Sequence, residues 1–243
     1  MKRKEKLEID LISKYMDQET GTIIQITVDE LAPVLIDLLK NEMTPELKQI
    51  TRNYLIIRLV TMIETYFRSM VRMTIDTLQF EFMGIFPNDE IKISLLDLKE
   101  IKKNEKITEG RIISSSFNFQ NLDEIDSVMS KLFGKSFFGE ISKKITKYSF
   151  SKMHPKGYGF DWKEIRELFQ IRHDVVHRME NVQNLNEQKL LRFTSHALVL
   201  CSLSQIIQTE EFVKRQGKEL RTSLPAKFEH MVDTLKNLED ALS

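Results

Sequence analysis

The residues best suited to chemistry lie in one short segment, in which Arg172 and His177 are separated by four residues. At about 100° per residue of a helix, several apolar side chains project within roughly 60° of Arg172. They are Ile165, Leu168, Phe169, Val176 and Met179. A guanidinium is almost never buried alone, because carboxylates, carbonyls or phosphate oxygens must compensate its removal from water. Arg172 is therefore either a partner in a structural ion pair or a group that binds an anion.

The composition favours long helices. The 243 residues include only 8 Gly and 5 Pro, and Leu, Ile, Lys, Glu and Met are plentiful. The 36 basic and 36 acidic side chains cancel, so overall charge gives no general attraction to nucleic acid or membrane. The single cysteine, Cys201, lies in an apolar run and is expected to pack in the core instead of acting as a nucleophile.

The chain lacks the usual sequence signals of export and membrane insertion. No apolar run approaches the roughly 18 uncharged residues of a membrane span. The basic start at Met1 leads into a polar, acidic segment instead of the apolar core of a signal peptide. These observations predict a soluble cytoplasmic protein with no membrane partner.

The first half of the chain contains the longest predicted helix. Helical patterns cover residues 5–17 and about 27–40. Thr44 followed by Pro45 is a strong helix start, and apolar residues then continue at helical spacing to about Leu78.

Beyond Leu78, capping residues, glycines and prolines mark the element boundaries. The first predicted elements are a charged helix over 89–103 and a polar connection over 104–116. A helix then starts at Asn121, and Gly134 and Gly139 separate it from a further helical piece that ends near Tyr148. The remaining elements are a helix that is opened by Asp161 and Glu164 and carries Arg172, a long apolar helix from Asn184 to Ile207, and a last helix over about 227–242.

Two segments together resemble the HEPN superfamily, in particular the all-helical HEPN domains of prokaryotic toxin-antitoxin and phage-defence ribonucleases. One is Ile-Glu-Thr-Tyr-Phe-Arg at 63–68, within the predicted longest helix. The other is Arg-His-Asp-Val-Val-His at 172–177, which matches the family pattern of an Arg and a His separated by four to six residues, with a polar residue directly after the Arg. The resemblance covers roughly residues 50–205.

The resemblance implies a homodimer in which the two motifs face each other across a cleft and cut RNA without a metal or cofactor, leaving 2′,3′-cyclic phosphate and 5′-hydroxyl ends. Arg172 would hold the scissile phosphate with its fixed fork of donors. His177 would act as general base or acid, a role that suits imidazole because its ordinary pKa lies near neutrality. His173 and Asp174 could orient the groups beside them, and Glu64 is the carboxylate expected to neutralise or position Arg172.

Helix geometry limits what one chain can do alone. Residues five apart on a straight α-helix differ in direction by about 140°, so Arg172 and His177 of one chain cannot easily meet at one phosphorus atom. A second chain related by two-fold symmetry would solve this, and a local break in the helix near His173 is the other solution. The enzymatic hypothesis is therefore tied to dimerisation.

Two other interpretations stay open. In the first, Arg172 pairs with Glu64 in the core and His177 lies near a helix end, where the helix dipole favours an imidazolium. In the second, His173 and His177 bind a metal as in the His-Glu-x-x-His zinc proteases. Here Asp174 is short for reaching a metal-bound water, and the third ligand is unmarked. Activity in excess chelator would exclude this second interpretation.

A basic, aromatic stretch precedes the motif. Between Lys131 and Lys156 there are seven lysines and a single acid, Glu140. Lysines can hold a phosphate backbone and exposed rings can stack on unpaired bases, although lysines that solvate an aromatic core give the same pattern. The residues expected to contact RNA are Lys143, Lys144, Lys147, Lys152, Lys156 and Arg178.

We therefore predict an all-α protein with a HEPN-like helical bundle. Residues 1–43 are expected to form an N-terminal helical extension, 44–243 the HEPN-like domain, and about 80–160 a helical insertion within it. The predicted function is metal-independent RNA cleavage in a toxin or antiviral defence setting, with an antitoxin or sensor protein as a further partner. The alternative is a catalytically inactive HEPN module that binds RNA, a nucleotide or a partner protein.

Overall fold

The computed structural model describes residues 30–40, 43–78, 108–148, 160–178 and 185–215. Within these ranges every regular element is helical, which confirms the all-α prediction. The elements are α1 (Ala32–Lys40), α2 (Pro45–Leu78), α3 (Glu109–Ser116), α4 (Leu122–Phe133), α5 (Phe137–Tyr148), α6 (Trp162–His173) and α7 (Glu187–Arg215). A π-helical segment, Asp174–Arg178, follows α6 directly and is called the π-turn.

The long helix α2 is the central helix of the bundle, against which most of the other described helices pack. It begins as its sequence predicts, since the hydroxyl of Thr44 accepts a hydrogen bond from the backbone N–H of Leu47 at 3.3 Å. Its buried face includes Leu55, Ile63 and Phe67. The helix contacts α1, α3, α4, α6 and α7, so each of these elements takes its position from α2.

The second long helix, α7, is fixed to α2 by buried hydrogen bonds as well as apolar packing. The hydroxyl of Tyr66 donates to the carbonyl of Cys201 at 2.8 Å. The amide of Gln208 donates to the carbonyl of Met70 at 3.1 Å and to the hydroxyl of Thr74 at 2.8 Å. Burial raises the pKa of the Cys201 thiol, which confirms the prediction that this cysteine packs in the core.

By length and composition, the part of α7 from Glu187 to Lys214 could cross a membrane, which is more apolar character than the sequence analysis allowed. In the structure, 72% of the residues in its most apolar window are buried inside the protein. An apolar helix whose surface is covered by its own chain is typical of the core of a soluble domain. We therefore interpret α7 as a core helix.

The turn between α4 and α5 follows the predicted capping logic. The side chain of Asn121 accepts from the backbone N–H of Glu124 at 2.7 Å and starts α4. Gly134 ends the helix with φ 66°, a left-handed conformation that glycine adopts without steric cost. Gly139, expected to lie in the same break, is instead within α5.

The structure corrects the prediction of a polar connection over 104–116, because residues 109–116 form α3. Asp76 of α2 accepts hydrogen bonds from Thr108 Oγ1 at 2.7 Å and from the backbone N–H of Gly110 at 2.8 Å. A Cβ on Gly110 would lie 2.4 Å from the carbonyl oxygen of Arg72, so only glycine permits this close packing. These tertiary contacts organise a segment whose serine-rich sequence has little helical preference.

Other predicted boundaries shift or fall elsewhere. The side chain of Asn186, two residues beyond the expected Asn184, accepts from the backbone N–H of Lys189 at 2.9 Å and starts α7. The helix then continues past Ile207 to Arg215. The predicted helices over 5–17, 89–103 and 227–242 lie outside the described residues. The proposed domain and insertion boundaries stay predictions.

Candidate functional site

The candidate site is built where α2 and α6 pack together and α6 passes into the π-turn. The side chain of Asp161 caps α6 by accepting from the backbone N–H of Lys163 at 2.8 Å. Buried Ile165, Leu168 and Phe169 anchor the helix in the core. This anchoring directs the last turn of α6, which carries Arg172, towards α2.

Two ion pairs fasten α6 to α7 along the other flank. Arg192 lies 3.3 Å from Glu164, and Lys189 contacts Glu167. The helix α6 is therefore held by both α2 and α7.

Arg172 and Glu64 lie together, as the sequence analysis expected. The Nη2 of Arg172 is 3.8 Å from the Oε1 of Glu64, and their side chains are 16% and 15% exposed. This separation is within ion-pair distance but too long for a hydrogen bond. Among the described residues, the Nε of Arg172 and the Oε1 of Glu64 have no hydrogen-bond partner. The pair is thus largely buried while part of its hydrogen-bonding capacity is unused.

Burial also affects the pKa of Glu64. Desolvation raises the pKa of the Glu64 carboxyl above its ordinary value, and the positive charges of Arg172 and Arg68 oppose that shift only in part. A buried polar group without a partner costs free energy. The unused Nε of Arg172 is itself buried, so an anion would approach Arg172 through the exposed 16% of its side chain.

The π-turn changes the relation between Arg172 and His177. Hydrogen bonding from i to i+5 widens the helix, so residues five apart across this turn point in more similar directions than the roughly 140° difference of a straight α-helix. The structure therefore contains the local break near His173 that the sequence analysis named as one of two solutions. Two adjacent valines, Val175 and Val176, have low helical preference and occupy this break.

The two histidines of the motif face solvent side by side. His173 and His177 are both exposed, and their ring centroids are 4.6 Å apart at an angle of 43°. Between them, Asp174 accepts a hydrogen bond from the side chain of Gln170 at 3.1 Å. Asp174 is therefore partly engaged by its own helix.

Arg68 is a neighbouring charge to which the sequence analysis gave no role. It is exposed on α2 one turn beyond Glu64, and its charge acts on the Glu64 carboxyl. The spacing of four residues is the signal that could have indicated this, because such residues are neighbours on a helix surface.

The lysines proposed as RNA contacts have different environments. Lys143 is exposed and bonded to Glu140 at 2.6 Å, and this hydrogen bond lowers the pKa of Glu140. Lys144 is buried and contacts both carboxylate oxygens of Glu210, at 2.5 and 2.6 Å, so it ties α5 to α7. Contact between Lys144 and RNA would require that pair to break. Lys152 and Lys156, and the side chains of Lys147 and Arg178, lie outside the described residues.

The aromatic rings of this region mostly pack inward. Phe133 and Phe137 are buried and stacked, with centroids 5.8 Å apart. Phe138 stacks on Trp162 at 4.3 Å, and both pack against the core. The described rings therefore support the interpretation of an aromatic core solvated by lysines.

Comparison with known protein families gives a match over residues 25–209 to the RiboL-PSP-HEPN family. Comparison with curated proteins and with solved structures gives no match. The family match includes α1 to α7 up to residue 209, and with them Glu64, Arg172 and His177. The helical bundle and the extent of the match show that this chain belongs to the RiboL-PSP-HEPN family of the HEPN superfamily.

Proposed function

We propose that this protein is a metal-independent endoribonuclease that acts as a homodimer and leaves 2′,3′-cyclic phosphate and 5′-hydroxyl ends. Membership of the HEPN superfamily indicates a nuclease or RNA-related activity. The observation that carries the finer proposal is the Arg172 guanidinium, which is 16% exposed at the end of α6, makes no hydrogen bond to Glu64, and lies next to a turn that exposes His177.

Arg172 binds the scissile phosphate in this proposal. A guanidinium offers a planar fork of donors that matches phosphate oxygens and carries a permanent charge. Its 3.8 Å separation from Glu64 leaves the pair without a mutual hydrogen bond. Glu64 then acts as a positioning residue that balances the charge of Arg172 without occupying its donors.

His177 transfers the proton. The 2′-oxygen of the ribose forms a bond to phosphorus while the bond from phosphorus to the 5′-oxygen breaks. One imidazole accepts the proton of the 2′-hydroxyl, and a second imidazole gives a proton to the departing 5′-oxygen. The exposure of His177 supports this role, since a scaffold protein would bury and satisfy it.

A homodimer supplies the second imidazole. Two-fold symmetry would bring the π-turns of two chains together, so each phosphate meets two copies of the motif. Val176, directly before His177, is 39% exposed and is one of the large apolar side chains left open in the described part of the chain. A single exposed valine is ordinary at a protein surface, so the homodimer is proposed from the family resemblance and from the need for a second imidazole.

The alternative is a HEPN module that binds RNA, a nucleotide or a partner protein without cutting. The proximity of Glu64 to Arg172 favours it, because a nearby carboxylate competes with an incoming phosphate. A toxin or antiviral defence role in the cytoplasm, restrained by an antitoxin or sensor protein, belongs to the proposed function and rests on the resemblance alone.

The decisive experiment is incubation of the purified protein with total RNA in EDTA, followed by analysis of the new ends. We expect wild type to produce cyclic phosphate ends, and His177→Ala to lower the rate by about 10² to 10⁴-fold, because it removes proton transfer. His230→Ala is the matched control, since it removes a histidine outside the described residues. Circular dichroism and sedimentation should show the same fold and oligomeric state in all three proteins. Equal cleavage by His177→Ala would reject the mechanism.

A further inference from the structure

The exposed histidine pair has a geometry that RNA cleavage alone does not require. His173 and His177 lie four residues apart, both face solvent, and their rings are 4.6 Å apart from centroid to centroid. The proposed reaction uses the imidazole of His177 and gives that of His173 at most an orienting role.

The separation of the rings fits two ligands on one metal ion. A Zn²⁺ bound about 2.0–2.1 Å from each nitrogen lies about 3.2 Å from each ring centroid, so adjacent imidazole ligands have centroids about 4.5–5.2 Å apart. The observed 4.6 Å lies at the lower end of this range, near the right-angle separation of an ion that keeps several water ligands and below the roughly 5.2 Å of a tetrahedral one. Imidazole nitrogens suit borderline cations such as Zn²⁺, Ni²⁺ and Cu²⁺, and they are poor ligands for Mg²⁺ and Ca²⁺.

The number of ligands decides what kind of site this is. Among the described residues, no group of three or more His, Cys, Asp or Glu side chains is arranged to hold a metal ion. Structural zinc sites use four protein ligands and catalytic sites three. A pair of exposed imidazoles whose remaining positions are filled by water gives a weaker site, from which the metal exchanges readily.

We infer that His173 and His177 form a two-ligand site for a borderline divalent cation, with Zn²⁺ as the representative, and that occupancy of this site switches off RNA cleavage. The cation takes the nitrogen lone pair that His177 needs for proton transfer and adds a ligated ion where the substrate must bind. The inhibitory half of this inference rests on the proposed function, whereas the binding half does not.

Metal binding is measured first, without reference to activity. Metal-stripped protein competes with a chromophoric chelator for Zn²⁺ and, separately, for Ni²⁺. We expect wild type to bind one Zn²⁺ per chain through this pair, and His173→Gln to weaken that binding at least tenfold. His173→Cys should retain it, because a thiolate is also a zinc ligand.

His230→Gln is the matched control, since it removes another histidine, remote in sequence from the pair, by the same substitution, and the proposed site predicts that it binds Zn²⁺ as wild type does. Mg²⁺ at the same concentration should not change the distribution of Zn²⁺ between the protein and the chelator. Unchanged Zn²⁺ affinity in His173→Gln overturns the site. Loss of affinity in His230→Gln equal to that in His173→Gln overturns it as well.

Inhibition is measured second, on wild-type protein with RNA. We expect Zn²⁺ to suppress cleavage over the same concentration range as the binding curve, and EDTA to restore it fully. Zn²⁺ binding with unaltered cleavage overturns the inhibitory half while the binding half stands. If the protein does not cleave RNA in EDTA, both the proposed function and the inhibition by Zn²⁺ are overturned. The Zn²⁺ competition assay still decides whether His173 and His177 form a metal site.

Discussion

Two ion pairs in this protein differ in how completely their charged groups are hydrogen-bonded. Lys144 contacts both carboxylate oxygens of Glu210 within 2.6 Å and joins α5 to α7. Arg172 approaches Glu64 only to 3.8 Å, at the meeting of α2 and α6, and its Nε has no partner among the described residues. The side chain of Lys144 is 10% exposed and that of Arg172 is 16% exposed, so burial alone does not separate them.

The difference indicates which charge holds the fold and which is kept for a ligand. A fully hydrogen-bonded pair recovers much of the free energy that its burial costs. A pair whose hydrogen-bonding groups are left open does not, and a catalytic role is one of the explanations for such a buried group. The basic segment that the sequence placed near RNA therefore contains a structural lysine. The motif contains a cation that makes no hydrogen bond to its nearest carboxylate, Glu64.

Among variants of the two ion pairs, the largest effect should come from Arg172→Ala. We expect cleavage to fall by about 10² to 10³-fold, because the variant loses donors that stabilise charge on the phosphate. Arg172→Lys should restore little, since an ammonium lacks the planar fork. The measurement is the single-turnover cleavage rate in EDTA, with thermal unfolding as the check on folding. A rate equal to wild type would remove the phosphate role from Arg172.

Lys144→Ala should lower the stability of the protein and leave RNA cleavage almost unchanged. We expect the free energy of unfolding to fall by about 1–2 kcal/mol, because the variant loses a hydrogen-bonded pair while Glu210, 40% exposed, regains water. Cleavage per folded molecule should stay within about twofold of wild type. Urea unfolding and the same RNA assay test both statements. Loss of cleavage without loss of stability would return Lys144 to the RNA-binding surface.

The smallest effect on stability should come from Glu64→Gln, and it should depend on pH. Burial raises the pKa of Glu64 in the fold, so the protonated carboxyl favours folding below its ordinary pKa. That contribution is lost as pH rises through the raised value. The variant should match wild type in acid and be more stable near neutrality, by less than about 1 kcal/mol.

Urea unfolding between pH 4 and 8 measures this difference. A variant less stable than wild type at neutral pH would show that Glu64 contributes more as a partner of Arg172 than it costs by burial. In that case Arg172 and Glu64 would be a structural pair like that of Lys144 and Glu210, and the contrast between the two regions would disappear.

Local signals predicted much of the fold. Thr44 with Pro45, Asn121 and Asp161 each start a helix in the structure, and Gly134 ends one. These features act within a single turn, so they can be recognised without tertiary information. Helix α3 was missed although Thr108 caps it locally by accepting from the backbone N–H of Arg111 at 3.2 Å. Its attachment to α2 through Asp76 joins residues 32 or more positions apart, which no local signal shows.

The sequence predicted which residues form the candidate site. It did not predict the distances between them, their pKa shifts or the local helix geometry. The spacing of the Arg and His identified Arg172 and His177 as candidate residues, and the segment 63–68 identified Glu64 as the expected partner of Arg172. The 3.8 Å gap, the raised pKa of Glu64 and the π-turn depend on how α2 and α6 pack, which no spacing encodes. The exposure of Val176 likewise appears only when the helices are assembled.

By itself, the sequence determined that the chain is helical, that a cation lies in an apolar stripe, and which family motif surrounds it, because periodicity, capping and residue spacing are local properties. The tertiary structure decided which cations are satisfied, where the helix widens, and which side chains face solvent. Those outcomes depend on distances between residues remote in sequence, and only packing fixes such distances.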